Sequence, residues 1–176
     1  MSDSQNTSQY KSLFATAEHL GELLLRHGWR VACAESCTGG GIARAFTEVP
    51  GSSDWFDLGL VTYSNAMKHA HLNVSVATLQ QHGAVSEPVV REMAVGALQA
   101  SGAQIAVSTS GVAGPGGGSE AKPVGTVCFA WGTRADIRVG TRHFTGDRKS
   151  VRSQSVLVAL QNLIDFMESD SIKNTV

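Results

Sequence analysis

Cysteine is scarce in this chain: there are three, Cys33, Cys37 and Cys128, an odd number with no Cys-x-x-Cys pair. Neither a disulfide framework nor a zinc knuckle can be built from them, and reduced thiols are expected. No apolar run approaches the roughly 18 residues of a membrane-spanning helix. The opening MSDSQNTSQYK is polar and lacks the apolar core of a signal peptide, so a cytoplasmic protein with no membrane partner is expected. Neither sign of charge dominates, with 14 Lys and Arg against 15 Asp and Glu, and a net charge of -1. The pI near 6.6 falls well short of the value above about 9 that marks a nucleic-acid-binding face, so no nucleic-acid partner is expected.

What is present suits one α/β domain of 176 residues, 42% of them apolar. Residues 1–9 read as a flexible N-terminal leader, 10–168 as the domain and 169–176 as a C-terminal tail. Leu13, Ala17, Leu20 and Leu24 recur at helical spacing until Gly28 stops the pattern. Residues 30–35 form an apolar strand that runs through Ser36-Cys37-Thr38-Gly39-Gly40-Gly41 into a helix ending at the Pro50-Gly51 turn. A strand over 56–63 completes a βαβ unit. Ser64-Asn65 can cap a short helix carrying Lys68, and a second short helix follows Ser75. Ser86-Glu87-Pro88 combines a capping serine with an acid and a proline in the first turn of a longer helix.

Residues 104–109 are a third strand, and 110–122 a glycine-rich loop. Strands near 124–131 and 137–144 flank a short connection and form an antiparallel hairpin. Asp147 can cap a last helix with Val156, Leu160, Leu163 and Met167 on its buried stripe. The expected architecture is a three-layer α/β/α sandwich on a mixed five-stranded sheet, mostly parallel with one antiparallel strand. If the fourth strand alone runs backwards, strands one, two, three and five end at one edge, where open α/β sheets bind ligands. That edge receives residues 36–40, 63–68, 108–118 and 145–152, the hydroxyl-, glycine- and arginine-rich parts of the chain.

Ser36 stands where a buried strand turns into a helix, a position that suits a nucleophile as well as a helix cap. The amides of Thr38, Gly39 and Gly40 would then face outward at the positive helix end and could hold an oxyanion. A serine needs a base, and none of the six histidines lies in a segment delivered beside it. Lys68 does, but only as a neutral amine. Bringing a lysine from about 10.4 to about 7 costs roughly 4 to 5 kcal/mol, which burial and a nearby cation would have to supply. Tyr63 could hydrogen-bond between the two and relay a proton. Cys37, beside the same helix terminus, is the rival nucleophile. Glu35 could act as acid or base but, by strand alternation, points away from Ser36. His69-x-His71 lacks a third ligand, so no metal is expected.

The loop from Ser108 to Gly118 could cradle a phosphate or ribose through Ser110, Gly111, Gly114, Gly116 and Gly117. It lacks the Gly-Lys-Ser/Thr ending of a triphosphate-binding loop and the register of Gly-x-Gly-x-x-Gly. Arg148 and Arg152, one turn apart at the start of the last helix, would present two guanidiniums to a monoester phosphate.

Four blocks occur in order: Ala34-Glu35-Ser36-Cys37-Thr38-Gly39-Gly40, Gly59-Leu60-Val61-Thr62-Tyr63-Ser64-Asn65 with Lys68, Gly111-Val112-Ala113-Gly114-Pro115-Gly116-Gly117, and Pro123-Val124-Gly125-Thr126-Val127. Together they resemble the CinA C-terminal domain family over nearly the whole chain. The resemblance implies hydrolysis of the carboxamide of nicotinamide mononucleotide to nicotinic acid mononucleotide and ammonia, in NAD salvage, with no metal or other cofactor. It assigns the family's serine to Ser36, its lysine base to Lys68 and its tyrosine to Tyr63, and implies a homo-oligomer. Because some members are thought to lack deamidase activity, a non-catalytic nucleotide-binding or competence-associated module remains the alternative. A serine–lysine esterase or amidase for another small substrate is the third.

Overall fold

The structure, a computed structural model, describes residues 3–173, with side chains over 11–169. In chain order the elements are α1 (Asp3–His27), β1 (Val31–Glu35), α2 (Gly41–Thr47), a 3-10 turn (Ser52–Asp54), β2 (Phe56–Val61), α3 (Asn65–Leu72), α4 (Val76–His82), α5 (Glu87–Ser101), β3 (Ile105–Gly111), β4 (Thr126–Thr133), β5 (Ile137–His143) and α6 (Arg148–Lys173). The sheet runs β2-β1-β3-β4-β5. β1 is parallel to β2 and to β3, while β4 is antiparallel to both β3 and β5. The fourth strand alone is reversed, as the hairpin requires.

Strand alternation divides the core in two. Val31 and Cys33, with Ile105, Val107, Val127 and Phe129, pack under α1, α2 and α6. Ala32 and Ala34, with Ala106, Cys128 and Ala130, pack under α3, α4 and α5. All five residues of β1 are buried, so this interior strand is covered on both faces, with Glu35 the one charged residue among them. The small residues on the α5 side let that helix lie close to the sheet. Gly96 extends the same logic to α3: a Cβ there would overlap the Leu72 backbone, so a glycine is what lets α3 seat against α5. Because α3 carries Lys68, this close approach sets the depth of that amine.

Helix starts follow the expected capping chemistry with one exception. Ser64 Oγ accepts from Met67 N, Ser75 Oγ from Thr78 N, and Asp147 Oδ1 from Ser150 N at 2.8 Å. Ser86 occupies the N-cap of α5 but does not cap it. Its hydroxyl donates to Gly83 O at 2.8 Å, closing the preceding turn instead. Boundaries differ as well: α2 stops at Thr47, β2 at Val61, and β4 runs over Thr126–Thr133 rather than 124–131. β3 continues through Gly111, because Ser110 and Gly111 still pair with Cys128 and Val127, so the glycine loop begins later than expected. α1 reaches back to Asp3 and α6 forward to Lys173, into the stretches assigned to leader and tail. Neither stretch contains a proline or glycine, and extending a formed helix is far easier than nucleating one. Residues 1–2 and 174–176 of those stretches lie outside the described residues. Among the described residues, no helix is long and apolar enough to cross a membrane.

Candidate active site

Ser36 follows directly on β1 and is 8% exposed, its backbone N–H tied to Thr109 O on β3 at 3.0 Å. Alternation puts its side chain on the face of Ala32 and Ala34, the face that α3 covers. Lys68 comes to the same point from α3. Its Nζ lies 3.0 Å from Ser36 Oγ and donates to Thr62 O at 2.8 Å and Tyr63 O at 3.3 Å. The side chain is 1% exposed, and among the described residues no carboxylate pairs with it.

An ammonium in such a place is expensive, since a desolvated charge without a counter-ion costs several kcal/mol. Burial accordingly pushes the Lys68 amine below its ordinary value, with Cys37 pulling weakly the other way. No cation is among the causes, so the lowering comes from desolvation and not from a neighbouring positive charge. Nζ faces three oxygens, Thr62 O, Tyr63 O and Ser36 Oγ; when the amine loses a proton, its lone pair can turn to the serine hydroxyl while the two carbonyls keep the remaining N–H groups.

Around this pair the expected amide donors are redistributed. Gly39 N–H donates to Ser36 O at 3.1 Å, and Gly40 N–H to Glu35 Oε2 at 3.0 Å, so neither is free to receive an oxyanion. The N–H groups of Cys37 and Thr38 donate to no oxygen among the described residues; both lie near the Cys37 sulfur. The Thr38 side chain is buried and bonded to Thr109 Oγ1 at 2.9 Å, so Thr38 offers a ligand its amide rather than its hydroxyl. Glu35 does point away from Ser36, as alternation requires, but its use as a local clamp had no sequence signal.

Tyr63 does not sit between the lysine and the serine. Its ring is 62% exposed and its hydroxyl accepts from Arg148 Nη2 at 3.1 Å, while only its backbone carbonyl touches Lys68. The strand has ended, and the side chain turns outward on the mouth of the site. Arg148 also donates to Gly114 O at 2.9 Å, linking β2, the glycine loop and α6. Arg152, one turn on, donates through Nη2 to Thr38 O at 2.8 Å, and its buried Nε has no partner. Neither arginine is salt-bridged among the described residues: Arg152 reaches the turn after Ser36, and Arg148 the glycine loop and Tyr63.

The glycine loop divides into a structural and an open part. The Ser110 hydroxyl donates to Ala84 O at 2.7 Å and is not available to a ligand. Gly111 lies within β3, where a Cβ would press on Val127 and on Thr126 O, so it serves strand pairing. Gly114 is buried and reaches the site through its carbonyl; Gly116 and Gly117 are exposed and unencumbered. His69 Nδ1 is taken by Val74 O at 2.9 Å, and among the described residues no three potential metal ligands converge.

Cys37 fits poorly as the nucleophile. It is 5% exposed on the opposite sheet face, and burial first, then Glu35, pushes its thiol up to about 12 against the weaker opposing pull of the backbone amides and Lys68. Cys37→Ala is therefore expected to change kcat less than about threefold, a core truncation near but outside the chemistry. A steady-state assay that found activity abolished would restore the thiol.

Fold and site together define an α/β/α domain with a serine and a lysine paired at the carboxyl edge of its sheet. The sequence profile of the CinA C-terminal domain family matches residues 13–167, and the chain belongs to that family. Nicotinamide-nucleotide amidohydrolase PncC of Enterobacter agglomerans is 54% identical over 155 residues, 88% of this chain and 94% of that protein. The protein of the same name from Pseudomonas putida is 56% identical over 150 residues, 85% and 94% of the two. Among solved structures, a CinA superfamily protein from Klebsiella pneumoniae superposes with a TM-score of 0.86 at 39% identity, covering 89% of this chain and 98% of that one. The competence/damage inducible protein CihA from Agrobacterium tumefaciens gives 0.85 at 41%, covering 88% and 95%.

Proposed function

We propose that this protein hydrolyses the carboxamide of nicotinamide mononucleotide, giving nicotinic acid mononucleotide and ammonia, with Ser36 as nucleophile and Lys68 as general base. The observation that carries the reading is the 3.0 Å contact between Ser36 Oγ and a buried amine without a counter-ion. A module that only bound nucleotides would have no use for so costly an arrangement. The relatives' shared name supplies the substrate.

In this mechanism Ser36 Oγ attacks the carboxamide carbon as its proton passes to Lys68 Nζ. The oxyanion develops beside the turn after Ser36, and the Lys68 ammonium returns the proton to the departing nitrogen, so that ammonia leaves. Water then attacks the nicotinoyl ester while Lys68 takes its proton. Collapse of the second intermediate frees the carboxylic acid, which loses its proton to solvent, and the proton on Lys68 restores the Ser36 hydroxyl. The cationic pyridinium draws electrons from the carbonyl and favours attack.

Arg148 holds the 5′-phosphate in this reading, exchanging the neutral oxygens of Tyr63 and Gly114 for an anion, and exposed Gly116 and Gly117 line the ribose. Arg152 stays on Thr38 O and adds positive potential behind it. The test is ammonia release from nicotinamide mononucleotide by the purified chain; tight binding without turnover would sink the enzymatic reading. Arg148→Ala is expected to raise KM for the mononucleotide about 10- to 100-fold, the worth of a hydrogen bond to a charged group. The riboside, which lacks the phosphate, should be affected less than about threefold. Equal changes for both substrates would remove Arg148 from the phosphate.

A further inference from the structure

Glu35 is a fully buried acid that the mechanism above does not use, and among the described residues no cation pairs with it. Its carboxylate instead accepts three backbone N–H bonds: Gly40 at 3.0 Å and Ile42 at 3.1 Å on Oε2, and Ala43 at 2.9 Å on Oε1. The Cys33 thiol approaches Oε1 at 3.7 Å from the same face. These amides belong to the turn after Ser36 and to the first turn of α2, whose N–H groups have no partner within the helix. One side chain thus determines the path of the chain on the far side of the nucleophile.

The backbone of the same residue acts on the other partner. Glu35 O accepts from Thr62 N at 2.9 Å, and Thr62 O is in turn the 2.8 Å acceptor that orients Lys68 Nζ. The side chain of Glu35 therefore shapes the Ser36 loop, while its carbonyl fixes the strand end that aims the amine. By holding the Gly40 amide it also withdraws that donor from the turn after Ser36.

We propose that Glu35 is a positioning residue for the reaction, keeping Ser36 Oγ and Lys68 Nζ in register. The proposal rests on the serine–lysine reading given above. It assigns Glu35 no contact with substrate and no proton transfer; its contribution is to the rate at which bound substrate reacts rather than to binding. Glutamine at this position would keep one acceptor oxygen but turn an NH2 towards a backbone N–H, breaking at least one of the three bonds.

The experiment compares wild type, Glu35→Gln and Glu35→Ala in two assays: ammonia release from nicotinamide mononucleotide, and covalent labelling of Ser36 by a fluorophosphonate, which needs the serine–lysine pair but no nucleotide. Glu35→Gln is expected to lower kcat about tenfold or more and Glu35→Ala further. KM should stay within about threefold of wild type, with the labelling rate falling in step with kcat. Wild-type kcat and labelling in a Glu35→Gln variant whose only change is a lower melting temperature would overturn the proposal, leaving a purely structural cap. Should the variants not fold, amide hydrogen exchange of wild type decides: Gly40, Ile42 and Ala43 must be protected relative to Gly116 and Gly117, and equal exchange overturns the proposal. If wild type leaves the mononucleotide intact yet is labelled at Ser36, the substrate reading fails and the labelling rates alone decide for or against Glu35.

Discussion

Ser36→Ala is expected to lower kcat for ammonia release from nicotinamide mononucleotide by at least about 10⁴-fold, the scale seen when a covalent nucleophile is removed from a preorganised site. The fold should survive. Ser36 is 8% exposed, and among the described residues its hydroxyl bonds to Lys68, so its loss leaves no oxygen stranded and opens only a small gap. Substrate binding, measured by calorimetry, is expected to change by less than about threefold, because the groups assigned to phosphate and ribose lie on α6 and the glycine loop rather than on β1. Two results would count against the serine: turnover persisting within tenfold of wild type, or loss of binding in proportion to loss of rate. The first would require another nucleophile, and Cys37, with its thiol pushed up to about 12, is poorly placed to be one.

The sheet and the carboxyl-edge grouping were legible because they depend on period and punctuation. Alternation along β1 separates Ala32, Ala34 and Ser36 from Cys33, Glu35 and Cys37, and this parity alone puts the serine on the face where Lys68 arrives. Glycine and serine signals located the turns that carry both residues to one edge. What escaped the sequence was hydrogen-bond partnership. Ser110 and Gly39 look free in a list of residues, yet the first is taken by Ala84 O and the amide of the second by Ser36 O. Tyr63 was misjudged for a related reason. A residue at the end of a strand has lost the ladder that would aim it, and Arg148, 85 residues away along the chain, decides where its hydroxyl goes. Long-range polar pairing leaves no local periodic trace, whereas burial does.

Replacing Lys68 by methionine is expected to reduce kcat by about 10³-fold, within the range for removing a general base, and to raise the melting temperature at neutral pH. The two effects have one cause. Burial lowers the folded-state pKa of Lys68 below the unfolded value, so between those two values the unfolded chain binds one more proton than the folded chain. Stability contributed by this group therefore rises with pH across that window, and at lower pH the protein carries the cost of forcing the amine neutral or burying it charged. Methionine fills similar space without that cost, so its stabilising effect should be largest at low pH and shrink as the pH approaches 10.5, the ordinary value for lysine. Activity depends on the same proton in the same sense. In the proposed mechanism only the free amine can take the Ser36 proton across the 3.0 Å contact, so kcat/KM of wild type should rise with pH as a single ionisation centred below 10.5 and then level off. In Lys68→Met the residual rate should lose that ionisation. Melting curves and pH–rate profiles of the two proteins check both halves, and a methionine variant that keeps the wild-type ionisation would show that Lys68 is not the group whose proton governs the rate.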